Sequence, residues 1–458
     1  MRKWPVYNFV LLSQDQHRTN DLHLMLFLRI PSEIILLLYD QLSVSELLLA
    51  SNTCSKWREH ARRHPTFRRD IRLAALTTDA LDFFHARLDA GSGVVNLHID
   101  LAVVTHPARF RSAVCAAVRQ NMRRIRLLEI DVPTAVDVDI LPALQEQAPM
   151  LQALQIRFDR RCKLGVLSSA LSPTIFQSHA PLLREVFLLN VRLPPRLPEA
   201  FRQIESSIFG SHSDQEFPLQ IPSSCPNLER LFVYGMTGMH LPPGYPQIVT
   251  HRLRQLHVIL GHGHPEILRT LAATHIMDVC IGMNSGLRDK HFLDDVCGPV
   301  QLELFLVESG LFLEYKERES GRLRRFRGQR EMQPDAWQVR AHLENTFMLS
   351  RVQAFNTSTR LMSVLNVLQH LPECTTLGIT LDAGHDLQIP SSTVAMSKLR
   401  RLEIIGDEGR IDAGAVTAFV EDGLADVPTP LYVAFQAGLD VTGSLDGTRL
   451  IASEPLYI

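Results

Sequence analysis

Leu28–Arg72 reads LRIPSEIILLLYDQLSVSELLLASNTCSKWREHARRHPTFRRDIR, and the rest of the chain is interpreted outward from its periodicity. Pro31 suits the opening of a helix, where a missing amide hydrogen costs nothing. Ile34, Ile35, Leu38 and Leu42 follow at helical spacing. After a short break, Ser43 or Ser45 can cap a second helix through Glu46, Leu47, Leu48 and Ala50. Cys54, Trp57 and Ala61 line one side of a third, whose other side carries Lys56, Arg58, Arg62 and Arg63. Three short helices are little for an independently stable domain, so a partner or a following domain is expected to cover the remaining apolar surface.

The order Leu-x-x-Pro-x-Glu-Ile-Ile, then Leu42, then Glu46-Leu47, then Ser51-x-x-Cys54-x-x-Trp57-Arg58, resembles an F-box. The resemblance implies a three-helix fold that binds the Skp-type adaptor of SCF ubiquitin ligases. It would place Leu28, Pro31, Ile34, Ile35, Leu38, Leu42, Leu47, Cys54 and Trp57 in or under that interface, with Trp57 and Leu42 as anchors. Two departures are mild: Leu38-Tyr39 stands where Ile-Phe is common, and Phe67 where a second Trp is frequent.

The chain has 458 residues, 45% of them apolar, which excludes wholesale disorder. A net charge of -2 favours neither nucleic acid nor an acidic membrane surface. The seven cysteines include no C-x-x-C pair, which speaks against a disulfide framework or a zinc ribbon and for a reducing compartment. Arg29, Pro31 and Glu33 interrupt the apolar run 22–39, so it does not read as a membrane span. Trp4–Leu12 only imitates a signal peptide, having no small-residue cleavage site after it. The expectation is a cytoplasmic or nuclear soluble protein with residues 1–24 as a tail and an F-box at 25–72.

Beyond Arg72 a cluster of the form Φ-x-x-Φ-x-Φ recurs, as in Val94/Leu97/Ile99, Ile125/Leu128/Ile130, Leu151/Leu154/Ile156, Leu183/Val186/Leu188, Leu228/Leu231/Val233, Leu253/Leu256/Val258 and Leu399/Leu402/Ile404. Up to Leu256 the clusters lie roughly 25–45 residues apart, the range of solenoids in which each unit adds a strand and a return segment. Helix-like stretches at Pro107–Arg119, Pro265–Ala273, Leu361–Leu371 and Ala413–Val420 alternate with them. Alternating strand and helix predicts a right-handed parallel α/β stack over 73–458.

This pattern resembles degenerate leucine-rich repeats, a known companion of the F-box in divergent proteins of fungal type, and implies an irregular horseshoe. The usual asparagine is replaced by Pro133, Asp159, Met236 and Gly261, so no regular asparagine ladder is expected. Residues 190–226, rich in Pro and Ser, read as an inserted loop. Residues 302–330, with a turn at Glu319–Arg322, read as a β-hairpin protruding from the stack.

Arg322, Arg324, Arg325 and Arg327, with Arg330, form the densest positive cluster. It offers a docking patch for an acidic or phosphorylated partner, or else a solvated hairpin face. The basic run through Lys56 and Arg72 is better explained by an amphipathic helix than by a nuclear-import signal. Gly261-His262-Gly263-His264-Pro265-Glu266 has poor spacing for a metal site and reads as an ordinary strand-to-helix turn. No nucleophile elbow, P-loop, dinucleotide fingerprint or H-E-x-x-H occurs. The expected molecule is therefore a non-catalytic substrate receptor without cofactor or metal. It would bind a Skp adaptor, through it a cullin, and an unknown target protein. A repeat scaffold unconnected with ubiquitin, capped by residues 28–72, is the alternative.

Overall fold

The structure, a computed structural model, describes residues 30–42, 44–73, 77–100, 107–132, 140–158, 170–211, 215–235, 239–241, 245–248, 250, 251–260, 264–282, 290–307, 310–328, 346–368, 370–406, 410–445, 450–453 and 456. The chain divides into two compact units, residues 1–154 with 179–182, and residues 155–178 with 183–458.

The first unit opens with four helices: α1 (Ser32–Asp40), α2 (Val44–Ser51), α3 (Ser55–Arg63) and α4 (Pro65–Arg69). Pro31 is the N-cap of α1 rather than its first helical residue, and its carbonyl accepts from the amides of Ile34 and Ile35. A fourth short helix was not expected. It begins on Pro65, and the His64 side chain accepts from the Thr66 amide. The chain then enters β1 (Asp70–Leu73) without a linker, so the expected boundary after residue 72 falls inside a strand. β1, β2 (Val95–Asp100) and β3 (Ile125–Val132) pair in parallel, with α5 (Thr78–Asp89) and α6 (Pro107–Asn121) as the intervening helices. Arg87 on α5 is 3% exposed. Its Nε donates to the Phe67 carbonyl at 2.9 Å and its Nη2 to the Asp70 carbonyl at 2.8 Å, tying the helical segment to the first strand.

β4 (Ala153–Phe158) is the strand within which the division between units falls. In the second unit, β5 (Glu185–Leu189), β6 (Ser206–Ser211), β8 (Arg230–Gly235), β10 (Gln255–Leu260) and β11 (Asp278–Gly282) follow one another in parallel register. β7 (Gln215–Glu216) and β9 (Met239–His240) form a small parallel pair apart from this ladder, and α7 (Gln220–Ser224) precedes β8. Residues 190–226 are thus not one inserted loop, because β6 lies within them and pairs on both sides. It escaped detection because Ser207 stands where the cluster pattern calls for an apolar residue, in register with Val186 and Leu231.

After α8 (His264–Thr270) and β11 come β12 (Val300–Val307), β13 (Gly310–Glu317) and β14 (Leu323–Arg327), joined by antiparallel pairing. β14 pairs in parallel with β11, and β12 in parallel with β15 (Val352–Ser358). The expected hairpin therefore does not protrude. It enters the sheet as a three-strand insert of reversed order, which continues the core row through Leu304, Leu313 and Phe326. The turn expected at Glu319–Arg322 is present, with Gly321 at φ +72, a conformation that costs glycine little. β16 (Thr376–Thr380), β17 (Arg401–Ile405) and β18 (Leu431–Phe435) extend the parallel pairing.

Inward residues alternate along these strands, as in Leu231/Val233, Leu256/Val258, Leu377/Ile379 and Leu402/Ile404, each at most 1% exposed. The helix-like stretches resolve as α6, α8, a 3₁₀ segment (Thr359–Val367) and Ala413–Gly423. The four positions lacking asparagine lie outside the described residues. What emerges is a helical N-terminal segment followed by a strand-rich α/β chain.

Candidate functional site

The four N-terminal helices have an inner and an outer face, set by which positions of α1 repeat. Ile35 and Tyr39, one turn apart, point inward and join Leu47, Trp57, Ala61 and Phe67 in a small core. Burying each of the larger side chains contributes about 1.5–3 kcal/mol. The Tyr39 and Trp57 rings meet edge to face at 5.8 Å, and the Tyr39 hydroxyl donates to the Trp57 carbonyl at 2.9 Å. Burial, helped by the nearby Cys54, pushes the Tyr39 phenol up to about 12, so it stays a donor at neutral pH. His64, 3% exposed, packs against Tyr39 and places Nε2 at 3.1 Å from Asp40. Lys56 Nζ donates to the Ile30 carbonyl at 2.7 Å, and Ser32 Oγ lies at 3.0 Å from His60 Nε2, which locks the start of α1 onto α3.

With that core filled, α1 still shows water an apolar stripe: Ile34 is 46% exposed, Leu37 61% and Leu38 45%. Positions i, i+3 and i+4 lie on one helical face. Leu49 on α2 is 70% exposed. Contiguous exposed apolar side chains mark interaction surfaces in a way that single ones do not.

The nine residues nominated from the sequence separate accordingly. Pro31, Ile34 and Leu38 are exposed, while Leu42 and Cys54 are half-buried at the rim of the core. Ile35, Leu47 and Trp57 are buried, so Trp57 is a core residue rather than an interface anchor. Leu28 lies outside the described residues. Sequence reasoning missed Leu37 and Leu49, because in runs such as IILLLY and LLLA every position is apolar and the pattern carries no helical phase.

The arginine cluster is not a docking patch. On β14, Arg324 occupies the core-facing register between Val279 and Tyr315 and is 1% exposed. Its guanidinium pairs with Asp295 and donates to the Ile276 carbonyl at 3.0 Å. Arg325, on the other face, pairs with Asp278 and lies 3.8 Å from Glu314. Arg322 donates to the Asp295 carbonyl at 2.8 Å, and Arg327 lies over the Phe312 ring at 5.5 Å. Strand alternation sends consecutive arginines to opposite faces, where carboxylates, a backbone carbonyl and the Phe312 ring already engage them, with Arg325 Nε left without a hydrogen bond among the described residues; Arg330 lies outside the described residues.

Burial pushes Asp278 up, but bonds from His257 and Gln255 and the Arg325 charge outweigh it and hold the carboxyl below its ordinary value. Glu314 moves the other way: burial raises it, Arg325 opposes, and the carboxylates of Glu303 and Asp278 add to the rise. Among the described residues no three metal-ligating side chains converge, and no helix is long and apolar enough to cross a membrane. Of the Gly261–Glu266 run, residues 261–263 lie outside the described residues.

Residues 27–69 match the family model of the F-box domain. The chain thus carries an F-box, and the exposed stripe lies on it. F-box domains generally bind the Skp adaptor and serve as adaptors rather than as catalysts. Comparison with the curated proteins gives no match.

Proposed function

We propose that this F-box chain is the substrate-receptor subunit of an SCF-type ubiquitin ligase. Ile34, Leu37 and Leu38, flanked by Pro31, Leu42 and Leu49, take the Skp adaptor and through it a cullin. The strands of the second unit act as a leucine-rich-repeat-like solenoid that holds a target protein. The chain does no chemistry of its own and needs no cofactor; it works in the cytoplasm or nucleus. Its contribution is proximity: holding a target lysine near the ubiquitin thioester raises the effective concentration of the reactants.

The observation that carries this reading is the apolar stripe on α1, left at 45–61% exposure although the helices have completed their own core. The solenoid reading rests on the parallel register that runs from β5 to β11 and resumes from β15 to β18. Of the three residues that separate this reading from a capping role for residues 28–72, Pro31 faces water, while Trp57 is buried and Leu42 half-buried in the helices' own core.

The test is co-purification of the full chain with a Skp adaptor, beside Ile34→Ser with Leu37→Ser. Both positions face water in the free chain, so the variant keeps its circular dichroism. It loses at least tenfold in adaptor binding, since each leucine-sized side chain contributes about 1.5–3 kcal/mol when covered. A folded wild type that leaves the adaptor unbound rejects the ligase reading.

A further inference from the structure

The second unit contains a pocket of about 540 Å³ built from the two excursions that flank β6, within the range of ligand-binding cavities. One wall comes from the chain after β5 and carries Arg192 and Leu193. The chain after β6 contributes Glu216, Phe217 and Gln220, and the chain after β9 contributes Tyr245. Backbone bonds hold the walls. The Leu171 amide donates to the Arg192 carbonyl at 2.9 Å, Glu216 pairs with His240 in the β7–β9 ladder, and the Leu219 amide donates to the Phe217 carbonyl at 2.7 Å. The pocket is thus largely pre-formed.

Its chemistry is incomplete in two ways. Arg192 and Glu216 are exposed, line the same pocket and form no ion pair among the described residues. Tyr245 keeps 41% of its surface in water beside the apolar wall.

We propose that this pocket binds a short linear peptide segment of the target protein, with an apolar side chain between one acidic and one basic residue. The acidic residue meets Arg192 and the basic one Glu216. The apolar side chain lies between Leu193, Phe217 and Tyr245. A ligand of one charge sign would leave one of the two rim charges opposed. The proposal deepens the substrate-receptor reading and rests on it for the peptide's origin.

The test uses the full chain and fluorescein-labelled, capped peptides containing Asp-Trp-Lys, Lys-Trp-Asp or the neutral Asn-Trp-Gln, read by anisotropy. One charged order binds about fivefold or more tighter than the neutral peptide, the scale of two exposed ion pairs. In Arg192→Glu with Glu216→Lys the preference inverts to the opposite order, because both contacts reverse sign.

The proposal is overturned if neither charged order exceeds the neutral peptide, or if the preference survives the double exchange. It is also overturned if tryptophan amide alone competes as well as the peptides, which would mark a small-molecule site. The same preparation is assayed for adaptor binding: adaptor bound without peptide rejects the pocket alone, and peptide bound without adaptor rejects the ligase reading alone.

Discussion

Arg324 occupies a row otherwise filled by Val279, Tyr315 and other apolar side chains, and it is tolerated there because Asp295, 8% exposed, neutralises it. Removing one partner of such a pair leaves an uncompensated charge. Asp295→Ala is therefore expected to cost about 3–5 kcal/mol, and Arg324→Met with Asp295→Leu to recover most of it. Urea unfolding followed by circular dichroism measures both. Trp57 calls for the same argument without charge. Trp57→Ala empties the centre of the helical core and should cost about 3–5 kcal/mol. Limited proteolysis would then cut within residues 30–69, where Ile34→Ser with Leu37→Ser remains resistant. Adaptor binding fails in both variants, but only in the first because the helices come apart.

Two elements show how local chemistry sets a strand's place. On β6, Ser207 is 1% exposed and its hydroxyl has no partner among the described residues. Ser207→Ala removes a buried polar group and should stabilise the second unit by about 1 kcal/mol, seen as a higher urea midpoint. At the β13–β14 turn, the Glu317 carboxylate accepts from the Cys297 amide at 2.8 Å, from the Gly298 amide and from the Ser320 hydroxyl. Burial pushes this carboxyl up, but those bonds and Arg322 outweigh it and hold it below its ordinary value. A carboxyl lowered on folding contributes stability that is complete above its unfolded value and lost as pH falls through the folded one. The protection factors of the amides at residues 297–298 and 317–321 should therefore fall as pH drops below the ordinary glutamate range, and Glu317→Gln should remove that pH dependence.

At the scale of the whole molecule, the adaptor stripe and the peptide pocket belong to different compact units. Substitutions at distant sites without shared partners act additively. Arg192→Glu with Glu216→Lys is expected to leave adaptor co-purification unchanged, and Ile34→Ser with Leu37→Ser to leave peptide binding unchanged. Coupling above about twofold in either assay would contradict this independence. The F-box helices are nonetheless no detachable tag. α4 runs straight into β1, and Arg87 binds the carbonyls of Phe67 and Asp70, so the first unit folds them together with its first strands. Burial lowers the Arg87 guanidinium to about 10 against the pull of Asp70, leaving it charged at neutral pH.

The sequence by itself determined the helical F-box segment and most of the strands, because both rest on local periodicity: apolar residues at helical spacing up to Trp57, and the Φ-x-x-Φ-x-Φ clusters beyond. Where periodicity was lost, prediction stopped. Ser207 hid β6, and the uniform apolar runs of α1 and α2 concealed which leucines face water. Only the tertiary structure decided that Trp57 is core and Leu37 surface, since helical phase depends on what packs against the helix. Only it turned the arginine cluster inward, since strand alternation assigns faces but not partners. It also decided that β14 joins β11 rather than protruding, a choice made by pairing between strands remote in sequence. The pocket depended on the same kind of information, because Arg192, Glu216 and Tyr245 follow β5, β6 and β9 and meet only through the pairing of β5 with β6 and of β7 with β9.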